Sequence, residues 1–351
     1  MNLDVLRQYD SELISLEVGN AKVLVSPGLQ GRVFCAINGK LIHRLDQEKL
    51  ANPLPNAFNN LGGNSLWPAP EGGPFAFNYP PDGGAWYVQE GIASSPAKIT
   101  ARDALTATMQ KNITLVNRKG TSVSVEVTRT VRLRADSPWA VGLPEGVSML
   151  HYEVEDVLSP KSKHAPSDLL LAAWSLEQFP GGNGVTAFTL VEDAAKAIND
   201  DYYGVLPQPP VVAGSLVSVP LSGQDRFQIG IPVSAGPHLI GVIDTVNGLL
   251  IIRRTPRQDG RYFNIADNDQ PKGPESAADM YSVFNGGALD FYELETIAPL
   301  QIKGSTVGAS HLKSETIIFT GSEKSLRMVL QKITTSVRSE NGNTRKFRDE
   351  E

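Results

Sequence analysis

Between residues 105 and 134 apolar and polar positions alternate over two runs. Leu105, Ala107, Met109, Ile113 and Leu115 are interleaved with Thr106, Thr108, Gln110, Asn112 and Thr114. After a break, Val123, Val125, Val127, Val131 and Leu133 are interleaved with Ser124, Glu126, Thr128, Thr130 and Arg132. Successive side chains of a strand point to opposite faces, so a period of two predicts strands with one buried and one wet face. Asn117-Arg118-Lys119-Gly120 between the runs has turn chemistry, and the pair reads as a long antiparallel hairpin.

Short runs of the same kind predict strands at 13–18, 21–25, 32–37, 150–157, 169–174, 227–233, 239–243, 249–253, 291–297 and 315–319. Helical patterns are confined to Asp193 to Asp201, with an acidic start, and Ser322 to Thr334, where Ser322 or Ser325 can cap. Many short strands and few helices predict an all-β fold, a large antiparallel sandwich. Two stretches, 52–91 and 257–287, are dense in Gly, Pro and aromatic residues and read as long functional loops. Neither repeat nor linker breaks the pattern, so residues 1–336 are expected to form one domain, followed by a polar tail at 337–351.

Composition narrows the partners more than the fold. The 32 Gly and 24 Pro among 351 residues favour turns over long helices. A net charge of −6 leaves no basic excess to neutralise phosphates, which excludes nucleic acid and an anionic membrane as expected partners. Cys35 is the single cysteine, so an intrachain disulfide and a Cys/His zinc site are both excluded. Its apolar surroundings, Val33 to Ile37, mark it as a buried inert thiol. Asp267, Asn268 and Asp269 carry oxygen ligands but lack the spacing of a calcium loop, and neither metal nor cofactor is expected. The residues from Met1 to Arg7 lack the basic and apolar regions of a leader, so the chain as written reads as cytoplasmic, or as periplasmic or secreted if a leader has been removed.

One segment, Gly62-Gly63-Asn64-Ser65-Leu66-Trp67-Pro68-Ala69-Pro70-Glu71-Gly72-Gly73-Pro74-Phe75, resembles the Gly-Gly, Trp, Pro-Glu-Gly-Gly loop of an uncharacterised bacterial family in the galactose mutarotase-like superfamily. Trp86, Trp174, the run Phe227 to Ile231, and Tyr281 to Gly287 leading into Phe291 to Thr296 resemble later parts of the same family, in the same order. The resemblance implies the superfamily's supersandwich. It does not imply a reaction, because the superfamily includes mutarotases, epimerases and domains of lyases and glycosidases. Mutarotases share an Asn-His-x-Tyr-Phe-Asn signature that supplies the general acid. Here Trp174, Ser175 and Leu176 stand in that region, so an acid must come from elsewhere.

Glu293 and Glu295, two apart in an expected strand, project to one face, with Tyr292 and Leu294 on the other. In a cleft their repulsion would raise one pKa and divide them into acid and base; on an exposed face they would be ordinary surface charges. A late glutamate serves as base in mutarotases, which the resemblance extends to this pair. Trp67 and Glu71 offer an indole for the C–H face of a sugar and a carboxylate for its hydroxyls, or else plug the sandwich end. Asn64, Trp86, Trp174 and Asn285 are further candidate ligand contacts. Arg32 after Gly31 resembles the Gly-Arg pair of related epimerases, and its fork suits vicinal hydroxyls or a carboxylate. His151, with Glu153 and Glu155 on its own face, is the candidate acid, whereas His43, His164, His238 and His311 sit in surface-like contexts.

These residues predict a carbohydrate-active protein, an epimerase or mutarotase-like enzyme working by acid/base proton transfer on a small-molecule or oligosaccharide ligand. The alternative is a noncatalytic carbohydrate-binding protein using Arg32, Trp67, Glu71, Trp86 and Trp174. A third reading, an assembly surface, requires that the long loops fill any cleft.

Overall fold

The computed structural model describes residues 4–348 apart from 56, 203, 222 and 267–272, with side chains described as far as residue 337. Two antiparallel sheets lie face to face. The front sheet has nine strands: β1 (Ile14–Val18), β2 (Ala21–Ser26), β3 (Arg32–Ile37), β4 (Lys40–Leu41), β5 (Gly63–Ala69), β10 (Ala172–Pro180), β14 (Phe227–Pro232), β17 (Asp279–Asn285) and β18 (Phe291–Ile297). Their spatial order is β1-β2-β3-β5-β10-β18-β17-β14, with β4 on β3.

The back sheet has ten strands: β6 (Lys98–Arg102), β7 (Thr106–Val116), β8 (Ser122–Leu133), β9 (Ser148–Pro160), β11 (Val185–Leu190), β12 (Val211–Ala213), β13 (Leu216–Pro220), β15 (Leu239–Asp244), β16 (Leu249–Arg254) and β21 (Ser310–Thr320). A small hairpin, β19 (Ile302–Lys303) and β20 (Thr306–Val307), stands apart. The predicted hairpin is β7–β8, in register from Thr106↔Arg132 to Val116↔Ser122.

Inward positions of both sheets form the main core. Val33 and Cys35 of β3, Tyr292 and Leu294 of β18, and Ile229 of β14 meet Met109, Val131, Tyr152 and Ile251 of the back sheet. Of three short helices, α1 (Asp4–Tyr9) precedes β1, α2 (Gln47–Ala51) joins β4 to β5, and α3 (Glu90–Ala93) lies in the crossover from β5 to β6 of the back sheet. Helix α4 (Glu323–Arg348) covers the outer face of the back sheet with Leu326, Val329 and Ile333. Ser322 caps it by accepting the Ser325 N–H at 3.2 Å, as its sequence predicts, and the helix then continues past Thr334 through the stretch read as a polar tail. Among the described residues no helix is long and apolar enough to cross a membrane.

Three local expectations change. Residues 63–69, read as loop from their Gly and Pro content, form strand β5 inside the front sheet. Pro68 is tolerated because β5 pairs with β3 only at Val33↔Asn64, so beyond that point the β3 side of β5 requires no donor. The end of the second long loop is likewise a strand, β17, buried along its whole length. Asp193 to Asp201 forms no α-helix: Asp193 caps a single 3-10 turn, Ala194–Lys196, and Asn199 then bridges to Gly230 of β14. Asp267, Asn268 and Asp269 lie outside the described residues.

Candidate functional site

The outward face of the front sheet, away from the core, forms the floor of a cavity of about 380 Å³. Alternation along each strand determines which side chains reach it. Ser65 and Trp67 come from β5, Trp174, Leu176 and Gln178 from β10, Glu293 and Glu295 from β18, Phe284 from β17 and Gln228 from β14. Arg32 enters from β3, and the rim carries Arg44, Lys49, Phe58, Asn60, Glu71 and Trp86. This loop cover is why β18 is buried on both faces, although its sequence alternates.

Cross-strand register brings partners to the two glutamates. Gln178 lies opposite Glu293 and donates to its Oε1 at 2.6 Å, while its second amide hydrogen goes to Asn60 Oδ1 at 2.8 Å. Ser282 lies opposite Glu295, and its hydroxyl donates to Oε2. Trp174 Nε1 donates to the same oxygen at 2.9 Å, and Gln228 Nε2 reaches it at 3.2 Å. Burial, followed by the charge of Glu293, pushes the Glu295 carboxyl up to about 8. Burial also raises Glu293, but Gln178, the proton of Glu295, Arg32 and Arg44 oppose the rise. Of the two, Glu295 is the one held protonated at neutral pH. Gln228 Nε2 also lies 3.3 Å from its Oε1, so both carboxyl oxygens have a donor within reach.

An aromatic wall stands beside the pair. Trp67 and Trp174 are cross-strand neighbours in edge contact at 6.1 Å, and Phe58 meets Trp67 at 5.4 Å. Trp86, 42% exposed, is anchored at the rim by its indole N–H, which donates to Glu71 Oε1 at 2.7 Å. Opposite the wall, Arg32 is 2% exposed. Its Nε donates to Gln30 Oε1 at 2.8 Å and its Nη1 to Gly62 O at 2.5 Å. Burial lowers its pKa to about 10, so it stays charged at neutral pH. Arg44 pairs with Asp46 at 2.9 Å and stacks over Phe291 at 4.7 Å.

Arg32, Trp67, Glu71, Trp86, Trp174, Glu293 and Glu295 therefore share one hollow. Three candidates do not. His151 lies on β9 of the back sheet, bonded through Nδ1 to Ser137 Oγ at 2.9 Å. Burial lowers its pKa to about 4, so it is a neutral structural histidine and not the acid of this cleft. Asn64 points to the inner face, where Oδ1 accepts from Arg129 Nη2 at 2.5 Å. Asn285, 3% exposed, donates to Asp225 O at 2.8 Å and supports a turn. Sequence reasoning missed Gln178, Gln228, Ser282 and Arg44. Gln228, between Phe227 and Ile229, and Ser282, between Tyr281 and Val283, carried a signal: a polar side chain within an apolar run. Among the described residues no cluster suited to a metal ion occurs.

Behind the floor, between the sheets, lies a second polar cluster. Glu177 is fully buried on β10, with His43 Nε2 at 2.8 Å, Arg253 Nε at 3.1 Å and the Thr316 hydroxyl donating at 2.7 Å. The Tyr152 hydroxyl donates to it as well. Arg253 Nη1 donates to Ser175 O at 3.0 Å and to Leu294 O, tying β10 to β18 from behind. Arg129 pairs with Asp156 at 2.6 Å and donates to Gly31 O at 2.9 Å. His43, expected at the surface, is therefore buried.

A family model described as a family of unknown function, DUF6786, matches residues 1–340. No curated protein matches the sequence. The solved structure of the Slr1438 protein from Synechocystis sp. PCC 6803 is similar at a TM-score of 0.53 and 13% identity, covering 88% of this chain and 95% of that one. A galactose mutarotase-like protein from Lactobacillus casei ATCC 334 is similar at a TM-score of 0.47 and 12% identity, covering 87% and 99%. The two-sheet antiparallel architecture is the large β-sandwich that the strand pattern predicts, and it is the fold shared with the Slr1438 structure.

Proposed function

The chain belongs to the family of unknown function DUF6786, and from its cleft we propose a carbohydrate-active protein that binds a sugar against the tryptophan wall and moves protons on it with Glu293 and Glu295. The observation that carries the reading is the buried glutamate pair, Glu293 and Glu295, facing a cavity of about 380 Å³ beside the tryptophans, with Glu295 raised to about 8. Trp67, Trp86 and Trp174 suit the apolar face of a pyranose, and Gln178, Gln228, Asn60 and Glu71 suit its hydroxyls.

The pair's spacing favours one reaction type. Carboxyls close enough to share a proton can reach two oxygens bonded to a single carbon, the ring oxygen and the hydroxyl of a hemiacetal. Glu295 gives its proton to the ring oxygen while Glu293 takes the hydroxyl proton; the C–O ring bond breaks and a carbonyl forms. Closure on the other carbonyl face returns both protons. Glycoside hydrolysis instead needs carboxyls about 5–9 Å apart on either side of the bond. The full burial of Glu295 favours a second reading, noncatalytic sugar binding with the pair as a structural acceptor.

Thermal-shift screening against free sugars, followed by polarimetry on each hit, tests both. A shift with accelerated mutarotation that Glu295→Gln abolishes supports proton transfer. A shift without turnover selects the binding reading, and the absence of any shift overturns both.

A further inference from the structure

We propose that the sugar accepted by this cleft is anionic, with a carboxylate or phosphate group seated on Arg32; the inference rests on the saccharide reading above and names its substrate class. The charge balance around Arg32 carries it. Arg44 is met by Asp46 and Arg129 by Asp156. Lys111 donates only to the carbonyls of Gln30, Gly91 and Ser95. Arg32 itself bonds only the neutral oxygens of Gln30 and Gly62, and among the described residues its Nη2 has no hydrogen bond and its charge no ion-pair partner. Glu293, whose charge acts on Arg32 across the cleft, makes no ion pair with it and is held by Gln178 at 2.6 Å.

A guanidinium cannot shed its charge in a protein, and burying one without a counter-ion is costly. Here that charge lines the ligand cavity and is held in place. Gln30, at a φ of 63°, accepts the Nε hydrogen, and Gly62 O accepts from Nη1, which fixes the plane of the fork. A planar fork with free donors matches a carboxylate or phosphate, whereas sugar hydroxyls supply no charge to offset it.

Calorimetric titration of the full chain separates the outcomes. The ligands are D-glucuronate, D-galacturonate, glucose 6-phosphate, glucose, galactose and inorganic phosphate, run on the wild type, Arg32→Gln and Arg32→Lys. The expected result is binding of one charged class at least about tenfold tighter than its neutral parent sugar. Arg32→Gln should remove that preference with less effect on the neutral sugar, and Arg32→Lys should retain part of it. Uronate or phosphate preference identifies which group the site takes. Equal affinity for charged and neutral sugars, weakened alike in Arg32→Gln, overturns the anionic inference and leaves the saccharide reading standing. Phosphate bound with no sugar bound, or no binding at all, overturns both. Because Arg32 also holds Gly62 O, folding of the variants is checked by circular dichroism; if Arg32→Gln does not fold, the wild-type preference decides the question.

Discussion

Glu177 and Glu295 stand on neighbouring strands of one sheet, one step apart in register, and neither has measurable exposure. Their protonation is opposite. Glu177 faces the core, where burial pushes it up but Arg253, His43 and Thr316 more than reverse the effect, so its carboxyl lies below the usual range. Glu295 faces the cleft, where burial and the charge of Glu293 outweigh the donors of Ser282 and Trp174, so it stays protonated at neutral pH. The lesson is that burial alone does not assign a role. The inner carboxylate is surrounded by cations and fixes the sheet-to-sheet contact, whereas the outer one is set against another carboxylate and retains a mobile proton.

The comparison breaks most visibly if Glu177 is removed. Glu177→Ala leaves Arg253 buried without its carboxylate and should cost about 3–5 kcal/mol in urea unfolding, an effect the outer pair should not match. Glu295→Gln mimics the protonated acid and should fold normally, while any mutarotation falls about 10²–10⁴-fold by polarimetry.

The pH response sharpens the contrast. A group whose folded pKa is raised binds its proton more tightly when folded, so between the ordinary value of 4.5 and about 8 the Glu295 contribution to stability falls as pH rises. Glu177 has the opposite sign: its contribution is present above 4.5 and is lost as pH falls through its lowered folded value. Asp279, buried and raised to about 7, has the same sign as Glu295. The difference in melting temperature between wild type and Glu295→Gln cancels it, and this difference should move in favour of the variant from pH 5 to pH 8.

Smaller effects follow. Trp174→Phe keeps an aromatic ring but loses the pyrrole and its donor to Glu295, at a cost of about 2 kcal/mol in unfolding, and should extend the pH response upward. Trp86→Ala, at the exposed rim, also removes the donor to Glu71 Oε1 and should cost about 1 kcal/mol in unfolding, so weaker sugar binding in that variant reports on the wall and Glu71 together.

Much of this was legible wherever side-chain alternation was regular. The β7–β8 hairpin, the strands on either side of the cleft and the shared face of Glu293 and Glu295 followed from period two. Strand β5 did not, because glycines at positive φ, Gly62 and Gly63, and Pro68 are loop signals, and only pairing with β10 overrides them. His151 misled because alternation places a residue on a face but does not say which of two sheets carries the cleft. His43 and Glu177 were hidden for a related reason: a polar residue reads as exposed unless its partner, here 134 positions away, is known.

The front sheet has a seam. Between β3 and β5 the ladder thins to the single pair Val33↔Asn64, and side chains do the stitching: Arg129 reaches Gly31 O and Asn64 Oδ1 from behind, and Arg32 reaches Gly62 O from the front. Arg32 and the glutamate pair thus lie on opposite banks, and a ligand held by both would staple the seam shut. Amide hydrogen exchange at Val33 and Asn64, slowed by such a ligand, would report occupancy of the cleft.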